Sequence, residues 1–186
     1  MMDRLLASVG LMLLALAACS AAAEPKPKPF AYFEAEGGRV RDMAQVLSPE
    51  TEQRLILALD TAQAHYGPQM GVVTVASLHN LPIEEFSLRY ANAWGLGDKR
   101  RNDGLLLLVA PKEHAMRIEV GKGIETSFTD EYCAEVIEQT MLPKFRQGDL
   151  EGGITAGAAE LIHHMREHPT LPANDNTAHP RAAKAA

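Results

Sequence analysis

The sequence predicts an α/β fold: a mixed β-sheet sandwiched by helices, in the order α-β-α-β-β-α-α. Three observations carry this. The run Gly104-Leu105-Leu106-Leu107-Leu108-Val109-Ala110 is almost wholly apolar, the pattern of a central strand buried on both faces. Met116, Ile118 and Val120 alternate with Arg117 and Glu119, the pattern of a half-exposed strand. On either side, amphipathic segments of helical period recur, each with start and stop residues.

The elements follow in order. Ser48 can cap a first helix with Pro49 at its first position, and Glu50 and Glu52 suit the positive end of the dipole. Leu55, Leu59, Ala62 and Tyr66 form its apolar stripe, and Gly67 stops it. Residues 72–76 read as a buried strand. A second helix after Pro82 presents Ile83, Phe86, Tyr90 and Trp94 on one face. The strand from Gly104 and the alternating strand are joined by the turn 111–114. Thr129 caps a third helix carrying Cys133, Val136, Ile137 and Met141, and Pro143 is expected to end it. A fourth helix starts at Asp149 and carries Leu150, Ile154, Leu161 and Met165. The first two strands flank a helix and should be parallel, with a right-handed crossover. The short turn makes the third antiparallel.

The remaining chain predicts export. Met1–Arg4 is a short positive region, and residues 5–18 are an apolar run. That run is too short to span a bilayer, which takes about 20 residues, but it has the length of a signal core. Leu16-Ala17-Ala18-Cys19 resembles a bacterial lipobox, which implies a signal peptide over 1–18 and lipid attachment at Cys19. Ser20, rather than Asp, implies passage to the outer membrane from the periplasmic side. The competing reading is cleavage after Ala21-Ala22-Ala23, giving a freely secreted protein. The segment 19–39 contains alternating Pro and Lys and reads as a stiff spacer. The domain is expected over 40–168 and a disordered Pro- and Ala-rich tail over 169–186. Beyond Cys19 only Cys133 remains, so there is no internal disulfide and no C-x-x-C, and Cys133 reads as a small core residue. A net charge of -6 without a basic aromatic face argues against nucleic-acid binding.

Topology predicts where chemistry could gather. The central strand starts at Asn102-Asp103-Gly104, and the antiparallel strand returns to that end at Gly121-Lys122-Gly123. The loops 95–103 and 121–129 should therefore be neighbours. They bring together Asp98, Asp103, Glu125 and Asp130, and Asp42 is a further candidate. Carboxylates beside flexible carbonyls suit a hard cation such as Ca²⁺. Charge and spacing alone favour plain turn and capping residues facing water. The usual rule would place a ligand beyond the carboxyl ends of the parallel strands, at 77–81. The acids and glycines point instead to the opposite end, where the start of the third helix would add free N–H donors.

Val40-Arg41-Asp42 ahead of Val46-Leu47-Ser48 resembles the start of the TPM domain. So do Trp94-Gly95-Leu96-Gly97, the run from Asn102 to Ala110, and Arg117-Ile118-Glu119-Val120-Gly121-Lys122-Gly123-Ile124-Glu125. Pro143-Lys144-Phe145-Arg146 and Gly148-Asp149 fit the same pattern, and the resemblance runs from about 40 to about 166. That family includes a photosystem II repair protein of the thylakoid lumen and bacterial exported proteins. The resemblance implies an α/β sandwich, Ca²⁺ binding or weak acid phosphatase activity in some members, and roles beside membrane complexes. Lys122 departs from the pattern, standing where an aromatic is frequent between the two glycines.

Two functions follow as expectations. The first is an accessory or maintenance factor of the cell envelope. It would bind Ca²⁺ or another divalent cation through Asp42, Asp103, Glu125 and Asp130, and serve a membrane-protein partner from its lipid anchor. The alternative is a weak metal-assisted acid phosphatase, with Asp103 and Arg117 as candidate catalytic residues and Lys122 as a further phosphate clamp. Weaker patterns read structurally. His164 and His168 have a spacing that can hold a metal but more often mark a solvated helix end. Gly121-Lys122-Gly123 lacks the phosphate-loop frame, Gly95-Leu96-Gly97 follows a helix, and no G-x-S-x-G is present. Ser77 and His79 lie at the other sheet end from the acids.

Overall fold

A computed structural model describes residues 38–170. The signal, the spacer up to residue 37, Cys19 and the tail from 171 lie outside the described residues. The elements are β1 (Val40–Asp42), α1 (Pro49–Tyr66), β2 (Gln69–Thr74), α2 (Ile83–Trp94), β3 (Gly104–Ala110), β4 (Ala115–Val120), α3 (Asp130–Glu135), a π-helical stretch (Val136–Met141), α4 (Leu142–Phe145) and α5 (Leu150–Glu167). The predicted α-β-α-β-β-α-α order is present, preceded by one strand, β1, that the sequence pattern does not predict. The sheet order is β1-β2-β3-β4. β1, β2 and β3 are parallel, and β4 runs antiparallel to β3.

β1 has three residues, too few for a period of two to show. It exists because Val40, Arg41 and Asp42 pair with Val72, Val73 and Thr74. β2 starts at Gln69 rather than at 72, because Gln69 pairs with Gly104 at the foot of β3. β3 is buried at every position.

Alternation along the strands sends side chains into two cores. Val40, Val72, Leu105, Leu107, Val109 and Ile118 pack under α1, α3 and α5. Val73, Leu106, Leu108 and Ala110 pack under Phe86 and Tyr90 of α2. Among the described residues the two faces thus carry unequal cover, several helices on one and a single helix on the other.

α1 and α5 run side by side in the same direction. At their starts the Ser48 hydroxyl donates to the Glu151 carboxylate at 2.6 Å, and at their ends the Thr170 N–H donates to the Tyr66 carbonyl at 2.8 Å. The folded unit therefore extends past 168 to Thr170. Both helices start on a side-chain cap, Ser48 accepting from the Thr51 N–H and Asp149 from the Gly152 N–H.

Pro143 does not end the third helix. The helical path runs through it and turns only at Gly148, where φ is 81°. The Leu142 N–H reaches back five residues to the Ile137 carbonyl. This wider π turn relieves the crowding that a proline ring creates against the carbonyl four residues back, and it absorbs the missing N–H. Among the described residues no helix is long and apolar enough to cross a membrane.

Candidate functional site

The loops 95–103 and 121–129 meet, as the topology requires. The antiparallel pairing continues beyond β4: the Gly121 N–H donates to the Gly104 carbonyl at 2.8 Å, and the Gly123 N–H to the Asn102 carbonyl at 2.9 Å. A Cβ on Gly123 would lie 1.7 Å from the Arg101 carbonyl oxygen, and one on Gly121 would lie 2.4 Å from that of Asn102. Only glycine permits this approach. The two glycines serve the contact between the protein's own loops, and not the approach of a ligand that the sequence suggested.

Asp103 is the internal brace of this end. It is 1% exposed. Its Oδ1 accepts the Asp98 N–H at 2.8 Å, and its Oδ2 accepts Arg101 Nε at 2.6 Å. Asp98 in turn accepts the backbone N–H groups of Arg100 and Arg101 at 2.9 and 3.1 Å. Those two hydrogen bonds hold its carboxyl below the usual range. The Gln69 side chain ties the loop to β2 by accepting the Gly97 N–H at 2.8 Å. One carboxylate therefore organises the loop from inside, and Asp98 organises its turn.

The other expected residues divide. Glu125 and Asp130 are exposed on the second loop and at the start of α3. Asp42 is a correction. It is the last residue of β1, in register with Thr74 at the carboxyl end of the parallel strands, whereas Asp103 precedes the first residue of β3. The Asp42 carboxylate accepts the Leu47 N–H at 2.8 Å and the Thr74 hydroxyl. It shapes the turn into α1 and cannot share an ion with Asp103. Arg117 is also displaced. It pairs across from Leu108, while Val120 is the residue opposite Leu105, so Arg117 stands about 10 Å along the strand from the acidic end. Its Nε donates to Glu119 at 2.8 Å, and the Ser87 hydroxyl donates to the same carboxylate.

The start of α3 carries a side-chain cap and two acids. The Thr129 hydroxyl accepts the Tyr132 N–H at 3.2 Å, and Asp130 and Glu131 occupy the first turn. The anion expected there meets two carboxylates instead. His164 is not a solvated helix end either: its Nε2 hydrogen bonds to the Ser127 carbonyl at 2.7 Å, and its ring stacks on Tyr132 with centroids 3.9 Å apart. Among the described residues no group of three or more His, Cys, Asp or Glu side chains is placed to hold a metal ion.

In charge, this end is less acidic than its aspartates suggested. Lys99, Arg100, Arg101 and Lys122 lie on the same two loops, and the Arg100 side chain is 90% exposed. Of these only Lys122 carries an expectation from sequence, although Lys99-Arg100-Arg101 is visible there as a run. The carboxyl end of the strands differs again. There Glu113 accepts the Leu78 N–H at 3.0 Å and the Ser77 hydroxyl at 3.1 Å. The backbone hydrogen bond from Leu78 is the main cause of its lowered pKa. Ser77 is thus a loop anchor and not half of a hydrolytic pair. Cys133 is buried, and burial pushes its thiol up to about 11.

A family model of the TPM domain matches residues 40–164. Among solved structures, the chain is similar to the N-terminal domain of a protein from P. gingivalis, at 28% identity with a TM-score of 0.67, covering 77% of this chain and 92% of that one. It shares its fold with the BA42 protein from the psychrophilic bacterium Bizionia argentinensis, at 16% identity and a TM-score of 0.59, covering 67% of this chain and 85% of that one. It also shares its fold with the N-terminal domain of the cg2496 protein from Corynebacterium glutamicum, at 20% identity and a TM-score of 0.55, covering 70% and 81%. A search of curated proteins found no match.

Proposed function

The chain belongs to the TPM-domain family, and from that premise we propose that it is an exported binding domain, an accessory or maintenance factor of the cell envelope. Its working end is the joined loops 95–103 and 121–129. One observation carries this reading: backbone hydrogen bonds from Gly121 and Gly123 fasten the two loops together, with charged side chains of both signs on one edge. No strong nucleophile is presented there, since Asp103 is buried and engaged by Arg101 and Asp98. That chemistry suits binding better than turnover.

The donor set Asp42, Asp103, Glu125 and Asp130 does not fit a single ion, because Asp42 lies at the other end and Asp103 is committed. A divalent cation at this edge would be held by exposed carboxylates such as Glu125 together with backbone carbonyls and water, which is a donor chemistry that Ca²⁺ accepts. Amide chemical-shift mapping with Ca²⁺ up to millimolar levels tests it. Shifts concentrated at 102–104 and 121–130 support the edge. Shifts at 77–81 would move the site to the other end, and no shifts would remove the cation.

The phosphatase reading keeps one observation in its favour, the cations Lys99, Arg100, Arg101 and Lys122 on the same loops, which suit phosphate oxygens. Hydrolysis of p-nitrophenyl phosphate by wild type and by an Arg100→Ala, Lys122→Ala variant separates a real site from a copurifying activity. The former should fall at least tenfold; the latter would be unchanged. Export and anchoring rest on the sequence of 1–37. Cys19→Ser should move the protein from the membrane fraction to the soluble fraction, and a wild type that is already soluble would sink the lipoprotein reading.

A further inference from the structure

Under α2, at the β1 edge of the sheet, sits a cation with three of its five N–H donors unused among the described residues. Arg41 lies in the middle of β1, the outermost parallel strand. Alternation sends its side chain to the α2 face, opposite to Val40 and Asp42. There its guanidinium carbon stands 4.2 Å over the Trp94 ring and 5.8 Å from that of Tyr90, and its Nη1 donates to the Tyr90 hydroxyl at 3.2 Å. Trp94 itself packs on Gly71 of β2, where a Cβ would come within 2.6 Å of two ring carbons. The stack Gly71–Trp94–Arg41 is thus built from the strand upward.

The remaining nitrogens, Nε and Nη2, are buried and have no hydrogen-bond partner among the described residues. They are not two unrelated atoms. Nε–H and the adjacent Nη2–H form one edge of the planar guanidinium, a two-donor fork matching the two oxygens of a carboxylate. A guanidinium cannot shed its proton to escape burial, so a desolvated, unpaired fork is a standing cost that a carboxylate would relieve. The described residues offer none. The neighbouring Asp42 faces the other side of the sheet and is held by Leu47 and Thr74. Glu119, on the same face, lies three strands away on β4 and is held by Arg117 and Ser87.

We propose that the Nε/Nη2 edge of Arg41, backed by Trp94 and Tyr90, is a binding site for a carboxylate entering at the β1 edge. The aromatic faces exclude water and hold the fork in one plane, which favours a planar carboxylate over a tetrahedral phosphate. The site lies on the α2 face at β1 and uses no side chain of the loops 95–103 and 121–129, although Trp94 adjoins Gly95, so its donors are independent of the cation reading.

Trp94 is the chain's one tryptophan and reports directly on the site. Titration with sodium acetate against sodium chloride at equal ionic strength should give a saturable change in Trp94 fluorescence and an acetate-specific rise in Tm. It should also shift the Arg41 Nε–H resonance in the wild type, a readout that needs no variant. Arg41→Lys keeps the charge but loses the fork, and should weaken the acetate response at least tenfold; Arg41→Gln should abolish it. No difference between acetate and chloride, or an equal response in Arg41→Gln, would overturn the site. An equal response to inorganic phosphate would overturn the carboxylate specificity.

Discussion

The two ends of the sheet solve the same problem with different residues. At the amino end of β3, Asp103 is buried and braces its loop through Arg101 and the Asp98 N–H, and glycines let the neighbouring loop press against the backbone. At the carboxyl end of the parallel strands, Asp42 braces the turn into α1 through Leu47 and Thr74, and Glu113 braces the loop after β2. Here four non-glycine residues take the left-handed backbone, Gln45, His79, Asn80 and His114, whereas at the amino end Asn102 does so beside Gly95 and Gly97. Acids at a strand end therefore do not by themselves mark a metal site. Each is consumed first by the N–H groups that a turn leaves unpaired, and only the carboxylates left over are available to a ligand.

This comparison can be broken most severely at the glycine contact. Gly123→Ala places a methyl group inside the Arg101 carbonyl, and the obstacle is backbone that no rotamer change can move. The expected loss is about 3 kcal/mol in urea unfolding, with the amides of both loops disturbed. A loss below about 1 kcal/mol would mean that the loops separate easily and are not clamped.

The two braces come next. Asp103→Ala strips a buried carboxylate from Arg101 and leaves the Asp98 N–H unpaired, for an expected loss of about 2 kcal/mol. The Arg101 side chain is 37% exposed, and water recovers part of that pairing. Asp42→Ala should cost about 1 kcal/mol, because it breaks hydrogen bonds to one N–H and to the buried Thr74 hydroxyl but leaves no charged partner behind. The reverse order would mean that the carboxyl end is the stiffer of the two.

Cys133 provides a check away from both ends. With its thiol pushed up to about 11, it should react slowly with thiol reagents at pH 8 while the fold is intact, and rapidly in denaturant. Equal rates would place it at the surface.

The smallest effect is in acid. The carboxyls of Asp98 and Glu113 are both depressed, chiefly by backbone N–H donors. A depressed carboxyl contributes stability that is present above its unfolded pKa and is lost as pH falls through its folded pKa. Both loops should therefore loosen only below the ordinary carboxylate range. The amides of Arg100 and Leu78 should titrate there, read by chemical shift. If either titrates in the ordinary range, that carboxylate is not the anchor of its loop.

Much of this was legible in the chain. β3 shows as an unbroken apolar run because both of its faces are covered by apolar side chains, and β4 shows as an alternation because its α2 face carries Arg117 and Glu119, which pair with each other and with Ser87. Caps at Ser48, Thr129 and Asp149 act within three or four residues, so they can be read locally. The meeting of the loops 95–103 and 121–129 was legible as well, since an antiparallel return leaves the chain no other place to arrive. Asp42 was misplaced because β1 is too short to show a period, and without β1 the sheet has no third parallel strand to carry Asp42 to the far end. Arg41 stayed hidden for the same reason. Its partners Tyr90 and Trp94 are some fifty residues away, and only strand pairing brings them together.

What the sequence by itself determined is everything that depends on near neighbours along the chain: the helices, the two apolar strands, their directions, and membership in the TPM-domain family. What only the tertiary structure decided is which polar groups are already spent. Whether Asp103 is a ligand or a brace, whether Gly123 admits a ligand or a loop, and whether Arg41 keeps a free fork all turn on contacts between distant segments. A side chain's hydrogen bonds are few and are taken by whatever packs against it, and that is set by the fold rather than by the residue.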